Sequence, residues 1–294
     1  MDGPEFFLFL PQIRMDVGVV CQRAQAAEAS GFAGIAFMDH LAPPLAGTSP
    51  MLEAMTLATW VAARTTDLVV SHLVLCDALR HPAVLARQAV TLDLASDGRF
   101  ELALGWGSVA DELVDFGVTA DGPPERVARL DESLTLIRAL WSGGPVDHHG
   151  TYFDVACTGQ QPAPPSPIPV VVGGAGPRTL DLVRRHADWW NLPVYALDRL
   201  DELRPSVGSA RVSTQHLVAF VPAGSDRNSI VDLAERRLGG MPGGLMTGDG
   251  PDLVDAFASL RDRGVERFYV WFADLAPVAT LEAFGAEVIG PLRG

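Results

Sequence analysis

Asp39 and His40 close an apolar run at residues 35–38, and Asp111, Glu112 and Asp115 lie just past a second run that stops at Gly105-Trp106-Gly107. Histidine suits proton transfer near neutral pH, because its ordinary pKa lies there. Glycines on both sides of Trp106 let the backbone pass close to a ligand and leave the ring open to a pocket. Asp39 starts on the opposite face of its run from His40, so it reads as a supporting or helix-capping group more than as a base. Glu112 and Asp115 read more as a solvated helix face than as a catalytic pair.

The elements that must position these residues alternate along the chain. Apolar runs at residues 6–10, 35–38, 68–76, 99–104, 168–172, 189–192, 215–221 and 268–272 read as strands, the third an unbroken run of the kind buried on both faces of a parallel sheet. Helical patterns separate them, at residues 16–30, 51–64, 82–94, 177 onward, 230–238 and 251–263, with Val127, Leu130, Leu134, Ile137 and Trp141 marking one face of a strong helix. Eight strands alternating with helices predict an α/β (β/α)8 TIM barrel forming a single domain over residues 1–294. An open doubly wound sheet would need fewer strands and an early glycine fingerprint.

Two stretches break the rhythm. Residues 142–167 hold Gly143-Gly144 and His148-His149-Gly150 and run into a proline-rich approach to the fifth strand, an irregular insertion after the fourth helix. Residues 239–250 carry six glycines in twelve residues, so a lid is expected there before the last helix-strand unit.

A barrel assembles its site from the C-terminal ends of its strands. Those ends are Gln12, His40, Cys76-Asp77, Trp106-Gly107, Gly173-Gly174, Asn191 and Trp271, and His40 alone among them suits proton transfer. Cys76 reads as a small hydrophobe, since no base can be placed beside it. His72 reads as a satisfied interior histidine, and His81, before Pro82, as a loop-shaping one. No metal site is expected: no His-x-His follows the first strand, and neighbouring His148 and His149 cannot both face one ion without special backbone geometry.

Composition narrows the chemistry further. The 294 residues hold 36 acidic and 22 basic side chains, a net charge of −14, with no basic run, so nucleic acid and anionic membrane are not expected partners. Every basic residue is arginine, and a chain without lysine cannot form a lysine Schiff base or a phosphate-loop lysine contact. The 3 cysteines are scattered and indicate neither a disulfide framework nor zinc; a reducing cytoplasm is the expected compartment. The N-terminal residues lack the basic start of a signal peptide, and no run approaches a membrane span.

Glycine and an aromatic at several strand ends suggest a flat ring cofactor across the barrel mouth. Asp39-His40, RHPAVLARQAVTLDLASDGRFELALGWG from Arg80 to Gly107, Leu140-Trp141, PVVVGGAGPRTL and Ala187-Asp188-Trp189-Trp190-Asn191 occur in order over nearly the whole chain. This set resembles the luciferase-like monooxygenase superfamily, and within it the actinobacterial coenzyme F420-dependent oxidoreductases. The resemblance implies F420, or alternatively FMN, bound at the C-terminal mouth and acting on a small organic substrate, by hydride transfer or as a monooxygenase supplied with reduced flavin by a separate reductase. A homodimer is also implied; a barrel that binds its ligand without turnover is the alternative of another class.

The family places the cofactor ring over a bulge ending strand three, often with a non-proline cis peptide, here near Val74, Leu75, Cys76 and Asp77; Leu75-Cys76 stands where the branch usually has polar residues. Its phosphate segment matches Gly173, Gly174, Ala175, Gly176, Pro177, Arg178 and Thr179, with the ring reaching back toward Cys76, Trp106 and Gly107. Asp39-His40 matches a catalytic or substrate-facing histidine position, and Glu112 falls near a carboxylate used by some members.

Overall fold

The computed structural model describes residues 3–44 and 46–293. Its core is a ring of parallel strands in chain order: Glu5–Phe9, Gly34–Phe37, Val69–His72 continued by Leu75–Cys76, Leu102–Gly105, Val170–Gly173, Trp189–Leu192, Arg211–Phe220 and Arg267–Phe272. The first strand pairs with both the second and the eighth. The ring closes between third and fourth through the Val70–Phe100 bridge and the Leu75–Leu104, Cys76–Gly105 register. The expected TIM barrel is therefore formed. The strands are apolar on both faces because one face packs inside the barrel and the other against helices: Phe6 and Leu8 join the outer layer, while Phe7 and Phe9 pack with Tyr269 inside.

The third strand departs from the unbroken run expected of it. A cis peptide joins Leu73 to Val74 and divides it into two segments. The seventh strand starts at Arg211, four residues before the expected start, because Val212, Ser213 and Thr214 are buried there despite two hydroxyl side chains.

The irregular insertion contains an antiparallel hairpin, Val146–His149 with Asp154–Cys157. Glu132, on the helix Pro123–Trp141, accepts the N–H groups of Thr151, Tyr152 and Phe153 and so anchors the hairpin turn. Within the glycine-rich stretch, Leu245–Gly248 is a strand paired parallel to the seventh, which leaves 239–244 as its irregular part. Met241 there packs toward Val194, Leu217 and Ala219.

The end of the barrel opposite the mouth is closed by charge. Arg267, at the start of the eighth strand and 3% exposed, forks onto Glu101 at 2.6 and 2.9 Å and also reaches Glu5 at 2.7 Å. Its guanidinium lies 4.0 Å from the Phe7 ring centre and 3.8 Å from that of Trp189. A cation held bidentately and stacked on aromatics needs no water. No helix among the described residues is long and apolar enough to cross a membrane.

Candidate active site

The second strand ends at Phe37, and its continuation carries Asp39 and His40 to the C-terminal mouth. The fourth strand ends at Gly105, and after Trp106-Gly107 the chain forms the short helix Ala110–Asp115. That helix brings Glu112 back across the mouth: its Oε2 lies 2.8 Å from His40 Nδ1, and its Oε1 accepts the N–H groups of Leu41 and, at 3.0 Å, Ala42. One carboxylate thus fixes both a ring and the loop behind it. Because a carboxylate can only accept, His40 carries its proton on Nδ1 in this pair and presents Nε2 as the free nitrogen. Among the described residues Nε2 has no hydrogen-bond partner in the protein.

Asp39 does a different job. Buried beside His40, it accepts the Cys76 N–H at 2.8 Å and forks with Arg80, whose Nη2 is 2.9 Å from Oδ1 and 2.7 Å from Glu53. Asp39 therefore ties the end of the second strand to the bulge of the third. Asp77, expected to touch the cofactor, faces away: it is 2% exposed and paired with Arg129 of the helix Pro123–Trp141, burial pushing its carboxyl up while Arg129 works against that. The two ion pairs hold the short turn Asp77–Leu79 from both sides.

The bulge packs onto backbone. A Cβ on Gly105 would come within 2.5 Å of Val74 Cγ2, and one on Gly107 within 2.7 Å of Cys76 Sγ, so both positions need glycine for the bulge to seat. Gly107 also has φ +80°, the left-handed region that favours glycine. Burial pushes the Cys76 thiol up to about 11, which leaves it neutral at pH 7 and, as expected, no nucleophile.

One cleft gathers Asp39, His40, Val74, Leu75, Cys76, Trp106, Gly107, Glu112, Gly173, Gly174 and Asn191. It does not include Asp77, Ala175, Gly176, Arg178 or Thr179. Asn191 is buried and reaches Ser213 Oγ at 3.3 Å, and Trp106 also lies under the Arg126 guanidinium at 5.0 Å. The sixth strand engages both polar groups of Gly174: its N–H donates to Asn191 O at 3.1 Å and its O accepts Trp190 Nε1 at 2.8 Å. That N–H is committed, while at the start of the helix Pro177–His186 Gly176 and Arg178 are exposed and Thr179 is buried.

Sequence reasoning missed Leu73, Ser108, Val109, Pro193, Tyr195 and Gln215, which also line the cleft. Gln215 was hidden by the late start assigned to the seventh strand: it sits mid-strand on the face shared with Ser213 and Leu217. Tyr195 follows the sixth strand end by three residues and carried no signal of its own. Of the other strand ends, Gln12 is fully buried and holds Met38 O at 2.6 Å and Leu52 O at 3.0 Å, while Trp271 packs edge-on to Phe9 inside the barrel. His81 caps the helix Pro82–Ala95 by accepting the Ala83 N–H. His72 corrects its expected satisfied state: it is wholly buried, and although the Ala54 backbone is near, neither ring nitrogen makes a well-formed hydrogen bond. His149 is exposed and pairs with Asp147 and Asp154, and no metal-binding cluster occurs among the described residues.

The closed parallel barrel defines a TIM-barrel protein, and its mouth presents a backbone-walled cleft and a histidine–carboxylate pair. The chain belongs to the luciferase-like monooxygenase family, whose match runs over residues 8–219. It is 32% identical to an F420-dependent glucose-6-phosphate dehydrogenase of Microbacterium testaceum over 61% of this chain and 52% of that protein; the chain spans about half the length of the curated relatives it matches. Its fold superposes on an F420-dependent secondary alcohol dehydrogenase in complex with an F420-acetone adduct with a TM-score of 0.84 at 18% identity, covering 99% of both chains. A riboflavin lyase with modified FMN and riboflavin gives a TM-score of 0.84 at 16% identity, covering 99% of this chain and 91% of that one.

Proposed function

We propose that the protein is an oxidoreductase that uses coenzyme F420, with FMN as the second reading, at the C-terminal mouth of the barrel to act on a small organic molecule. The observation that carries this is the His40–Glu112 pair at 2.8 Å on the wall of a cleft lined by glycine backbone, apolar side chains and the polar Asp39, Ser108, Asn191, Tyr195 and Gln215. The cleft fits a flat ring: at Gly105 and Gly107 the wall has no side chain, and the cavity face there is made by Val74 and Cys76. When bound, such a cofactor accepts or donates hydride and, in the case of reduced flavin, also reacts with oxygen.

The chain supplies the rest. His40 Nε2 takes a proton from a substrate hydroxyl, or returns one to a carbonyl oxygen, while Glu112 keeps the ring in the Nδ1–H tautomer and stabilises the imidazolium. Asp39 and Arg80 hold the bulge against which the ring would lie. Gly176, Arg178 and the first turn of the helix Pro177–His186 would meet the cofactor phosphate through N–H groups, a fixed charge and the helix dipole. F420 stands ahead of FMN because the relative from Microbacterium testaceum is named as F420-dependent. A homodimer, by family resemblance, and a cytoplasmic setting, from the scattered cysteines, are part of the same reading.

Titration of the purified protein with F420 and with FMN, each oxidised and reduced, tests this. Micromolar binding of F420 with weaker binding of FMN is expected. No binding of either would remove the reading altogether, and preference for FMN would turn it to the flavin alternative.

A further inference from the structure

Building on the proposed cofactor chemistry, we propose that the molecule acted on is neutral and largely apolar, an alcohol or ketone of lipophilic character, and not a phosphorylated sugar or other anion. The acidic and basic side chains lining the cleft are Asp39, His40 and Glu112. Among the described residues that line it there is no arginine, and the chain contains no lysine. A phosphate dianion is held by charge-assisted hydrogen bonds from cations, most often arginine or lysine. Two arginines near the wall do not line the cleft: Arg80 is forked onto Asp39 and Glu53, and Arg126, 3% exposed, lies over the Trp106 ring with its Nε unpaired. Glu112, fixed at the wall beside His40, would repel an anion brought to the same place.

The rim carries the opposite chemistry. Val109 is 36% exposed and Tyr195 57% exposed, and both line the cleft. Leu41, whose N–H is bound by Glu112, is 44% exposed. Large apolar side chains left in water around a concave site lose that exposure when an apolar ligand settles among them, at roughly 25 cal/mol per Å². His40 Nε2 then supplies one polar contact, enough to orient a single hydroxyl or carbonyl.

Calorimetry with 2-octanol, glucose and glucose 6-phosphate on the protein alone and on protein saturated with F420 or FMN tests the inference. The separate cofactor titration reports whether the proposed function stands, and the probe arm on protein alone decides the substrate class even if neither cofactor binds. 2-Octanol is expected to bind at least tenfold more tightly than either sugar. Tyr195→Ala and Val109→Asn, both at exposed positions, should each weaken 2-octanol binding to the protein alone at least fivefold. Val109→Lys should raise glucose 6-phosphate affinity about tenfold. Tighter binding of glucose 6-phosphate than of 2-octanol by the unaltered protein, or no effect of the two rim variants on 2-octanol, would overturn it.

Discussion

His40 and Glu112 are 72 residues apart in the chain and 2.8 Å apart in the fold. Position and residue type pointed to His40, since it follows a strand end and histidine is the usual proton-transfer side chain. Glu112 was legible only by resemblance, because a carboxylate on a six-residue helix looks like a solvated one until the helix is seen to cross the mouth. Proton transfer by a positioned side chain contributes about 10²–10⁴-fold, so His40→Ala should lower turnover by ~100-fold or more with F420 affinity nearly kept. Glu112→Gln should cost less, since an amide can still accept from the Nδ1–H but cannot stabilise the imidazolium. Stopped-flow turnover beside F420 titration separates these outcomes; an unimpaired His40→Ala would end the assignment. Cys76→Ser should leave turnover within a few-fold, because a thiol kept neutral by burial takes no part in proton or electron-pair transfer.

At the level of elements, the strands were legible from their apolar runs to within a few residues, since burial on both faces leaves no polar interruptions to misread. The division of the third strand at Leu73-Val74 was legible only through the family resemblance; what could not be read was the hidden start of the seventh, where Ser213 and Thr214 are buried with their hydroxyls satisfied by the neighbouring Trp190 carbonyl and by His216. The phosphate loop shows why the choice of substitution matters. Gly174 has φ +141°, and a Cβ there would meet Thr179 Cγ2 at 2.8 Å, so any side chain would distort the loop whatever binds nearby. Gly176 has φ −79° and open space around it. Gly176→Val should therefore leave the thermal midpoint within about 2 °C, as expected of a surface change away from packed features, yet weaken F420 and FMN while sparing riboflavin. Equal affinity of the variant for FMN would place the phosphate elsewhere.

For the molecule as a whole, two buried histidines set the acid limit. Burial pushes His72 down to about 4 and His216 down to about 3, from an ordinary 6.5. Both bind protons more readily when unfolded, so the stability they contribute is complete above pH 6.5 and is lost as pH falls toward those values. At pH 5 the loss is about 2 kcal/mol for each. Urea unfolding of the wild type should weaken steadily from pH 7 to pH 4.5, and His216→Leu should flatten that fall by about half; parallel curves for the two proteins would contradict it. Arg267→Gln should cost about 3–5 kcal/mol, the usual penalty for stranding one side of a buried ion pair, while F420 titration at the mouth stays unchanged.

The sealed floor also dictates an order of events. With Arg267, Glu101, Glu5 and Trp189 closing one end, the proposed function brings cofactor and substrate in through the same mouth, and two ligands that share it must queue. Whichever lies against the Val74–Gly107 wall enters first and leaves last, so the second visitor can come and go many times while the first stays resident.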